Sequence, residues 1–529
     1  MKKSTLLIAA LSLFAGSVTA ETVEVTTAEM NSETTGSLIN ILNNLPDAQE
    51  TTITFNLDVD ELNFLTNVPK ADAPEEITHP AIPLINKIVV IDGKNKKTGN
   101  NVTINGTETT TFLETKENTK LTLKNLTISK FTGIAFKGST TSTLIAEDCI
   151  FVNNKDVKIE KGNNGIIRLS HADGVFNRCV FEDNKATGSY GGGAICFYTG
   201  AASPVSLKIT NCTFAHNEAY SGGAISVNVR DKGAVPTVYI ANSTFANNSV
   251  SDRGGAIYMQ TAEKSGSFAP VMVNNTFVGN MTNHVTSDDG GAVNVWSRAT
   301  TTMSPVFVNN LFVSNCWDPW GKSPLNDVKA FYLEGALDVN GNPLAQTVKP
   351  ICVNNGFAAV EDTFYKTYAE KNFKVDFAKD AIFAETEQNP WDEGDPEYNH
   401  QTAKLSGDLK VAMLAEGSVV IGKGIASYEG IEIPTTDQLG NARPASPALG
   451  AVEYADNSGV EGIAAAAKTQ IVKSGDALLL NNVNGPVYIF DVMGRLVQTS
   501  AAEENVSIAN LTNGIYVAKA ANCVVKFVK

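Results

Sequence analysis

The stretch Asn211–Ile225, "NCTFAHNEAYSGGAI", is answered 31 residues later by Asn242–Ile257, "NSTFANNSVSDRGGAI". Two near-copies at that separation are either halves of one site or two turns of one scaffold. The flanking sequence decides for the scaffold. A Phe followed three residues on by Asn recurs at Phe151, Phe181, Phe214, Phe245, Phe277 and Phe312, at intervals of 30, 33, 31, 32 and 35 residues. Gly-Gly-Ala followed by Ile or Val recurs at Gly192, Gly222, Gly254 and Gly290. A variable period that keeps its markers describes constant coils joined by loops of variable length.

The residues around each marker alternate, and the alternation changes phase. Val238 and Ile240 share one parity, Ser243 and Phe245 the other, so the chain turns at Ala241-Asn242. Asn is the non-glycine residue best suited to a left-handed turn. It stands three before the marker at Asn125 (marker Ile128), Asn211, Asn242, Asn274, Asn309 and Asn354 (marker Phe357), with Asp148 and Arg178 as exceptions. A second Asn column stands three after the marker, at Asn154, Asn184, Asn217, Asn248, Asn280 and Asn315, where each strand is expected to end. Coils stacked as parallel strands about 4.8 Å apart would bring like side chains into register and let buried amides bond from coil to coil. The pattern predicts an all-β chain built as a parallel β-helix of roughly ten coils, each of three short strands and three turns.

The chain of 529 residues is too long for one compact core of ordinary shape and suits an elongated repeat. Apolar residues make up 43% and charged ones 18%, which is a foldable composition. A net charge of −15 with no Lys/Arg-rich stretch argues against nucleic acid as a partner. Lys2 and Lys3, the apolar run Leu6–Phe14 and the small residues Val18-Thr19-Ala20 read as a signal peptide over 1–20, with Glu21 opening the mature chain. No other segment approaches the ~20 apolar residues of a membrane-spanning helix. The protein is therefore expected to be exported through the periplasm. The seven cysteines, scattered and odd in number, form neither a disulfide framework nor a zinc pattern. Cys149, Cys179 and Cys212 share the position two before the marker, so they face inward, as a buried stack or near disulfide distance.

The pairing of F-x-x-N with GGA[IV] resembles the repeats of polymorphic outer membrane proteins, β-helical surface adhesins. More broadly it is similar to the right-handed β-helix, or pectate-lyase-like, superfamily, over about Lys87–Phe357. The resemblance implies a right-handed helix; that superfamily mixes lyases, hydrolases and binding proteins, so the activity stays open.

The ends of such a stack need covers. Leu38, Ile41, Leu42 and Leu45 have helical spacing within "GSLINILNNL", which reads as an N-terminal capping helix inside a first region, 21–86. The β-helix proper is expected over 87–454. Its last part, Ile433–Tyr454, reads as a C-terminal cap. That segment also resembles the tail of secreted β-helix proteins of the choice-of-anchor class through Asp437, Gly440, Arg443, Gly450, Ala451 and Glu453. Residues 455–468 are small and polar, as in a linker. Residues 469–529 alternate around turn signals and read as a small β-sandwich module. This module resembles the C-terminal sorting domain of type IX secretion substrates through Asp491, Gly494, Arg495, Leu511, Gly514, Tyr516, Val517 and Lys526. That implies passage across an outer membrane by the type IX machinery, then surface anchoring or release.

Two candidate sites remain. Two residues before successive Gly-Gly pairs stand Tyr190, Tyr220, Asp252 and Asp288, with Arg253 and Asp289 beside the last two. Such a column could converge on a sugar or on calcium, which takes carboxylate oxygens. No other cofactor or metal is indicated, and His216 falls within a repeat turn. The second candidate is a surface. After each Gly-Gly-Ala, Ile195, Ile225, Ile257 and Val293 point inward, so Cys196, Ser226, Tyr258 and Asn294 point outward, as do Tyr198, Asn228, Gln260 and Trp296, with Arg230 and Arg298 extending the face. Aromatic rings mixed with amides suit a glycan or a protein partner. The expectation is an adhesin-like, non-enzymatic surface or secreted protein. The alternative is a lyase or glycoside hydrolase acting on acidic polysaccharide.

Overall fold

A computed structural model describes the chain from residue 20 to 529 except 65–81, 107–110, 132–135, 140, 157–163, 190, 200–204, 231–234, 262–267, 284–290, 298–302, 318–330, 335–347, 349, 358–370, 377–379, 391–400, 455–469, 475–476, 482–485, 492–494, 501–504, 513 and 521–522. It is a right-handed parallel β-helix. Three long parallel sheets of eleven, eleven and nine strands run its length, and a fourth, of six short strands, is inserted between the second and third.

One coil shows how the sequence makes the shape. Thr237–Ala241 lies in the first sheet. Asn242 turns the chain at φ +49°, and Thr244–Ala246 enters the second sheet. Asn247 turns it again at φ +53° into Ser249–Arg253 of the fourth. Gly254, at φ +67°, opens the corner to Ile257–Thr261 of the third. Each strand then pairs in register with its repeat in the next coil, as Phe214↔Phe245 and Ile225↔Ile257 do. All eight residues three before a marker, including Asp148 and Arg178, take φ between +49° and +57°. Arg178 Nε donates to Asp148 Oδ1 at 2.7 Å, so these two non-Asn turn residues brace each other across coils.

The interior is a set of columns. The marker rings stack nearly parallel from Phe151 to Phe357, with centroids 4.6–5.1 Å apart. Beside them runs an amide ladder. Asn154, Asn184, Asn217 and Asn248 each donate from Nδ2 to Oδ1 of the next Asn at 2.9 Å, and Asn280 does so to Asn315 at 2.8 Å. The same Nδ2 groups also donate to a main-chain carbonyl one coil back, as Asn184 does to Phe151 O at 2.9 Å. Every amide in this dry row is thereby satisfied, which is the condition for burying it.

Three features differ from the sequence reading. Six of the coils, those with markers Phe151 to Phe312, have four strands, not three, because the residue two after the marker (Asn153, Asp183, His216, Asn247, Gly279, Ser314) is also left-handed. The Asn three after the marker therefore sits past a turn, in the core. A second amide ladder, Asn275–Asn310–Asn355–Asn372, occupies the column two before the marker, with links of 2.9 Å. The third difference concerns the C-terminal segment, which does not close the end of the stack. Residues 401–439 and 443–454 lie as a strap along the outer flank of the coils. Asn354 Nδ2 donates to Lys423 O at 2.9 Å, and Asn309 Nδ2 to Ile425 O at 2.8 Å. Asn242 Nδ2 donates to Thr436 O at 2.7 Å, and Lys410 Nζ reaches both Glu182 oxygens at 2.6 and 2.5 Å. Under the strap, outward apolar residues of the second sheet (Ala246, Val278, Val313) pack with Leu414, Val420 and Leu449.

At the other end the helix Leu38–Asn43 forms, with Ser37 Oγ capping Asn40 N–H at 3.1 Å and Leu38, Ile41 and Leu42 turned into the core. The chain divides into two compact units. One runs to Leu439 and resumes over Arg443–Asp456; the other holds Gly440–Ala442 and Asn457–Lys529. In the second unit a three-stranded and a four-stranded antiparallel sheet enclose a core that includes Leu478, Ile489, Val506, Tyr516 and Phe527. Among the described residues no helix is long and apolar enough to cross a membrane.

Candidate functional site

The Gly-Gly-Ala element makes the corner from which the candidate face starts. A Cβ on Gly223 would overlap the carbonyl oxygen of Gly255, and one on Gly255 that of Gly291, so main chain packs directly on main chain there. The Ala that follows is buried in every coil, at Ala194, Ala224, Ala256 and Ala292. From this corner the third-sheet strands leave in register, aligning Arg168, Cys196, Ser226, Tyr258 and Asn294 in one row and Ser170, Tyr198, Asn228, Gln260 and Trp296 in the other.

These rows alternate with the core residues Ile225, Val227, Ile257 and Met259, so they lie on the outer side of the sheet. They are nevertheless mostly closed to solvent, contrary to the exposure expected of them. Cys196, Ser226, Asn228, Tyr258, Gln260 and Asn294 are all at most 1% exposed. Parity fixes the direction of a side chain and says nothing about what surrounds it. Here the polar ends meet one another: Tyr258 Oη donates to Gln260 Oε1 at 3.1 Å, Gln260 Nε2 donates to Asn228 Oδ1, and Asn228 Nδ2 donates to Ser226 Oγ at 2.8 Å. Burial pushes the Cys196 thiol up to about 12, opposed by the nearby Arg168 and Arg230, which leaves it unreactive at neutral pH. Tyr198, Arg230 and Trp296 are half-buried at the margin. The Tyr198 ring meets His171 edge to face, 5.3 Å between centroids.

The column before the glycines comes to the same margin. Arg253 lies over the Trp296 ring, 4.3 Å from its centroid, and its Nε is 3.8 Å from Asp252 Oδ1. Ser221 Oγ donates to Asp252 Oδ2 at 2.9 Å. Tyr220, opposite Asp252 across the bulge in the fourth sheet, is 42% exposed. Tyr190, Asp288, Asp289 and Arg298 lie outside the described residues. Among the described residues no group of three or more His, Cys, Asp or Glu side chains gathers closely enough to hold a metal ion. His216 is a left-handed turn residue, with Nε2 3.3 Å from Asn247 Nδ2.

The tail residues Asp437, Arg443, Gly450 and Glu453 build a buried junction within the strap. Arg443 pairs with Glu453, at 3% and 9% side-chain exposure, and donates to the carbonyls of Gly450 (2.9 Å) and Ala451 (3.0 Å). Glu453 N–H donates to Asp437 Oδ2 at 2.9 Å, and Ala451 N–H donates to Thr276 Oγ1 at 2.9 Å. Gln438 Nε2 donates to Thr213 Oγ1 at 2.8 Å, and Thr244 Oγ1 donates to Gln438 Oε1 at 2.6 Å. Sequence reasoning missed the receiving column, Thr213, Thr244 and Thr276, one before each marker; its signal is three consecutive threonines at an outward position.

In the C-terminal unit Asp491 and Arg495 brace a hairpin, with Arg495 Nε donating to Asp491 Oδ2 at 2.8 Å. Tyr516 Oη donates to Thr512 O at 2.9 Å, and Lys529 N–H to Gly514 O at 2.9 Å. Gly494 and the side chain of Lys526 are outside the described residues.

Together the coils and their columns define a parallel β-helical repeat protein. The Chlamydia polymorphic membrane protein repeat matches it at residues 178–198 and 242–260, two segments that each carry a marker Phe and its following Asn. No curated protein matches the chain.

Proposed function

We propose that this is an exported, surface-displayed β-helix protein that binds a glycan or a cell-surface partner at the margin between the fourth and third sheets. The observation that carries the reading is the Arg253–Trp296 stack, with Asp252 beside it and the exposed Tyr220 in the neighbouring coil. A guanidinium held over an indole, next to a carboxylate and a phenol, offers the mixture of ring face and hydrogen-bonding edge that sugar rings and polar protein surfaces accept. The match to a polymorphic membrane protein repeat supports a place at the outer membrane or cell surface. The resemblance of residues 469–529 to type IX sorting domains supports the route there.

Binding is tested on a glycan array and on whole cells, with Trp296→Ala and Arg253→Ala, both scored for folding by circular dichroism. Loss of binding by folded variants supports the reading; undiminished binding overturns the assigned margin. Incubation with uronic-acid polysaccharides, with and without calcium, addresses the enzymatic alternative. Cleavage lost in Asp252→Ala would replace the binding reading by catalysis. For export, a chain ending at residue 468 should stay in the periplasm and resist protease added to intact cells.

A further inference from the structure

The column two before the marker changes chemistry along the stack: Cys149, Cys179, Cys212, then Ser243, then Asn275, Asn310 and Asn355. Its cysteines and its serine share two structural tasks. The main-chain N–H of each coil donates to the side chain of the next: Cys179 N to Cys212 Sγ at 3.4 Å, Cys212 N to Ser243 Oγ at 3.1 Å, and Ser243 N to Asn275 Oδ1 at 3.0 Å. The side chain also donates to the carbonyl two residues back, from Cys149 to Glu147 O (3.3 Å), from Cys212 to Thr210 O (3.2 Å) and from Ser243 to Ala241 O (2.9 Å). Serine performs both tasks one coil away, so neither requires sulfur. What three consecutive sulfurs add is one another.

The registers Phe151↔Phe181 and Phe181↔Phe214 place the three cysteines at one level in adjacent coils. The stacked marker rings measure the coil separation there as 4.8 and 4.6 Å. That lies inside the Cα separation a disulfide accepts, roughly 4.4–6.8 Å. Cys149 and Cys212 are two coils apart, past the ~7 Å limit. We infer that this column is a coil-to-coil disulfide site in which Cys179 is shared, pairing with either Cys149 or Cys212 and never with both. All three thiols are buried in the closed coil, and burial raises Cys149 and Cys179 further from the thiolate form. The bond therefore forms before the coils close, by exchange with a disulfide oxidant of the glutathione class. The first cysteine thiolate attacks the oxidant and releases one thiol. The second attacks the resulting mixed disulfide and releases the other. Two protons leave the protein, and two electrons reduce the oxidant. The product is one crosslink between neighbouring coils and one remaining thiol.

The test unfolds and reduces the full chain, refolds it in mixed reduced and oxidised glutathione, quenches with an alkylating agent in denaturant and maps the cysteines by peptide mass. The expected result is Cys179 bridged to Cys149 or Cys212, with the unpaired member alkylated. Cys179→Ser should leave both others alkylated, whereas Cys149→Ser and Cys212→Ser should each keep the single remaining bridge. Should Cys179→Ser fail to fold by circular dichroism, the other two variants carry the test. All three cysteines alkylated in the refolded protein, a Cys149–Cys212 bridge, or glutathione adducts alone would overturn the inference.

Discussion

Two neighbouring residues, Asn153 and Asn154, show how far one residue type can divide its labour. Asn153 sits exposed at φ +56°, where the backbone and not the amide sets the requirement. Asn154 is buried; its Oδ1 accepts Phe131 N–H at 3.0 Å, and its Nδ2 donates to Ile128 O at 3.1 Å and Asn184 Oδ1 at 2.9 Å. Asn153→Ala should cost about 1 kcal/mol, because alanine lacks the short polar side chain that makes asparagine tolerant of a left-handed turn, and Asn153→Gly should be nearly neutral. Asn154→Ala strands a buried N–H and a buried carbonyl, each worth about 1–3 kcal/mol, so a loss of about 4 kcal/mol is expected. Urea midpoints rank the three variants, and amide exchange should quicken in the coils on both sides of residue 154. Equal midpoints for the two alanine variants would contradict the division of roles. The Asn columns were visible in the sequence because a repeat prints the same residue at the same place. Their two functions were not, because a turn amide and a ladder amide leave the same letter.

At the scale of elements, the strap is where sequence and structure part. Its apolar residues, such as Leu414, Val420 and Leu449, answer an outer sheet face and follow no period of their own, so nothing in 401–454 declared a path along the flank. The Asp437, Arg443 and Glu453 pattern was legible as a unit, and the structure explains it as the junction that fixes the strap's fold. Arg443→Ala leaves Glu453 buried without its partner, a loss of about 3–5 kcal/mol. Pairing that change with Glu453→Gln should recover much of the loss. The effect should be local: protease cutting and amide exchange rise across 401–454 while the interior Asn ladder stays protected. Uniform loosening of all coils would show that the strap holds the helix together and does not merely lie on it. The candidate face was half legible for a similar reason. Alternation gave the outward direction of Tyr258 and Gln260 correctly, and their burial depends on neighbours that no alternation encodes.

The β-helical unit behaves as a stack of coils, with nearest-neighbour contacts supplying most of its cohesion. Removing one complete unit should therefore be tolerated where nothing else spans it. Residues 125–147 form such a unit, since Lys124 pairs with Glu147 in register and the join would bring Lys124 to Asp148. A chain lacking 125–147 is expected to remain folded, with the β-sheet circular dichroism signal kept and the melting temperature slightly lowered. A chain lacking 211–241 is equally well joined inside, because Thr210 pairs with Ala241. It should nonetheless lose stability sharply, because the strap touches Glu182 through Lys410, Thr213 and Thr244 through Gln438, and Asn309 through Ile425 at fixed separations along its own chain. Equal stability of the two deletions would refute this.

The strap thus acts as a ruler. Tandem repeats in genes gain and lose copies by unequal recombination, and a bare solenoid would accept each new length. Here a second, non-repeating length of chain must match the coils from Phe181 to Phe357 contact for contact. Lineages of this protein should vary in coil number on the N-terminal side of that span and hold it constant within.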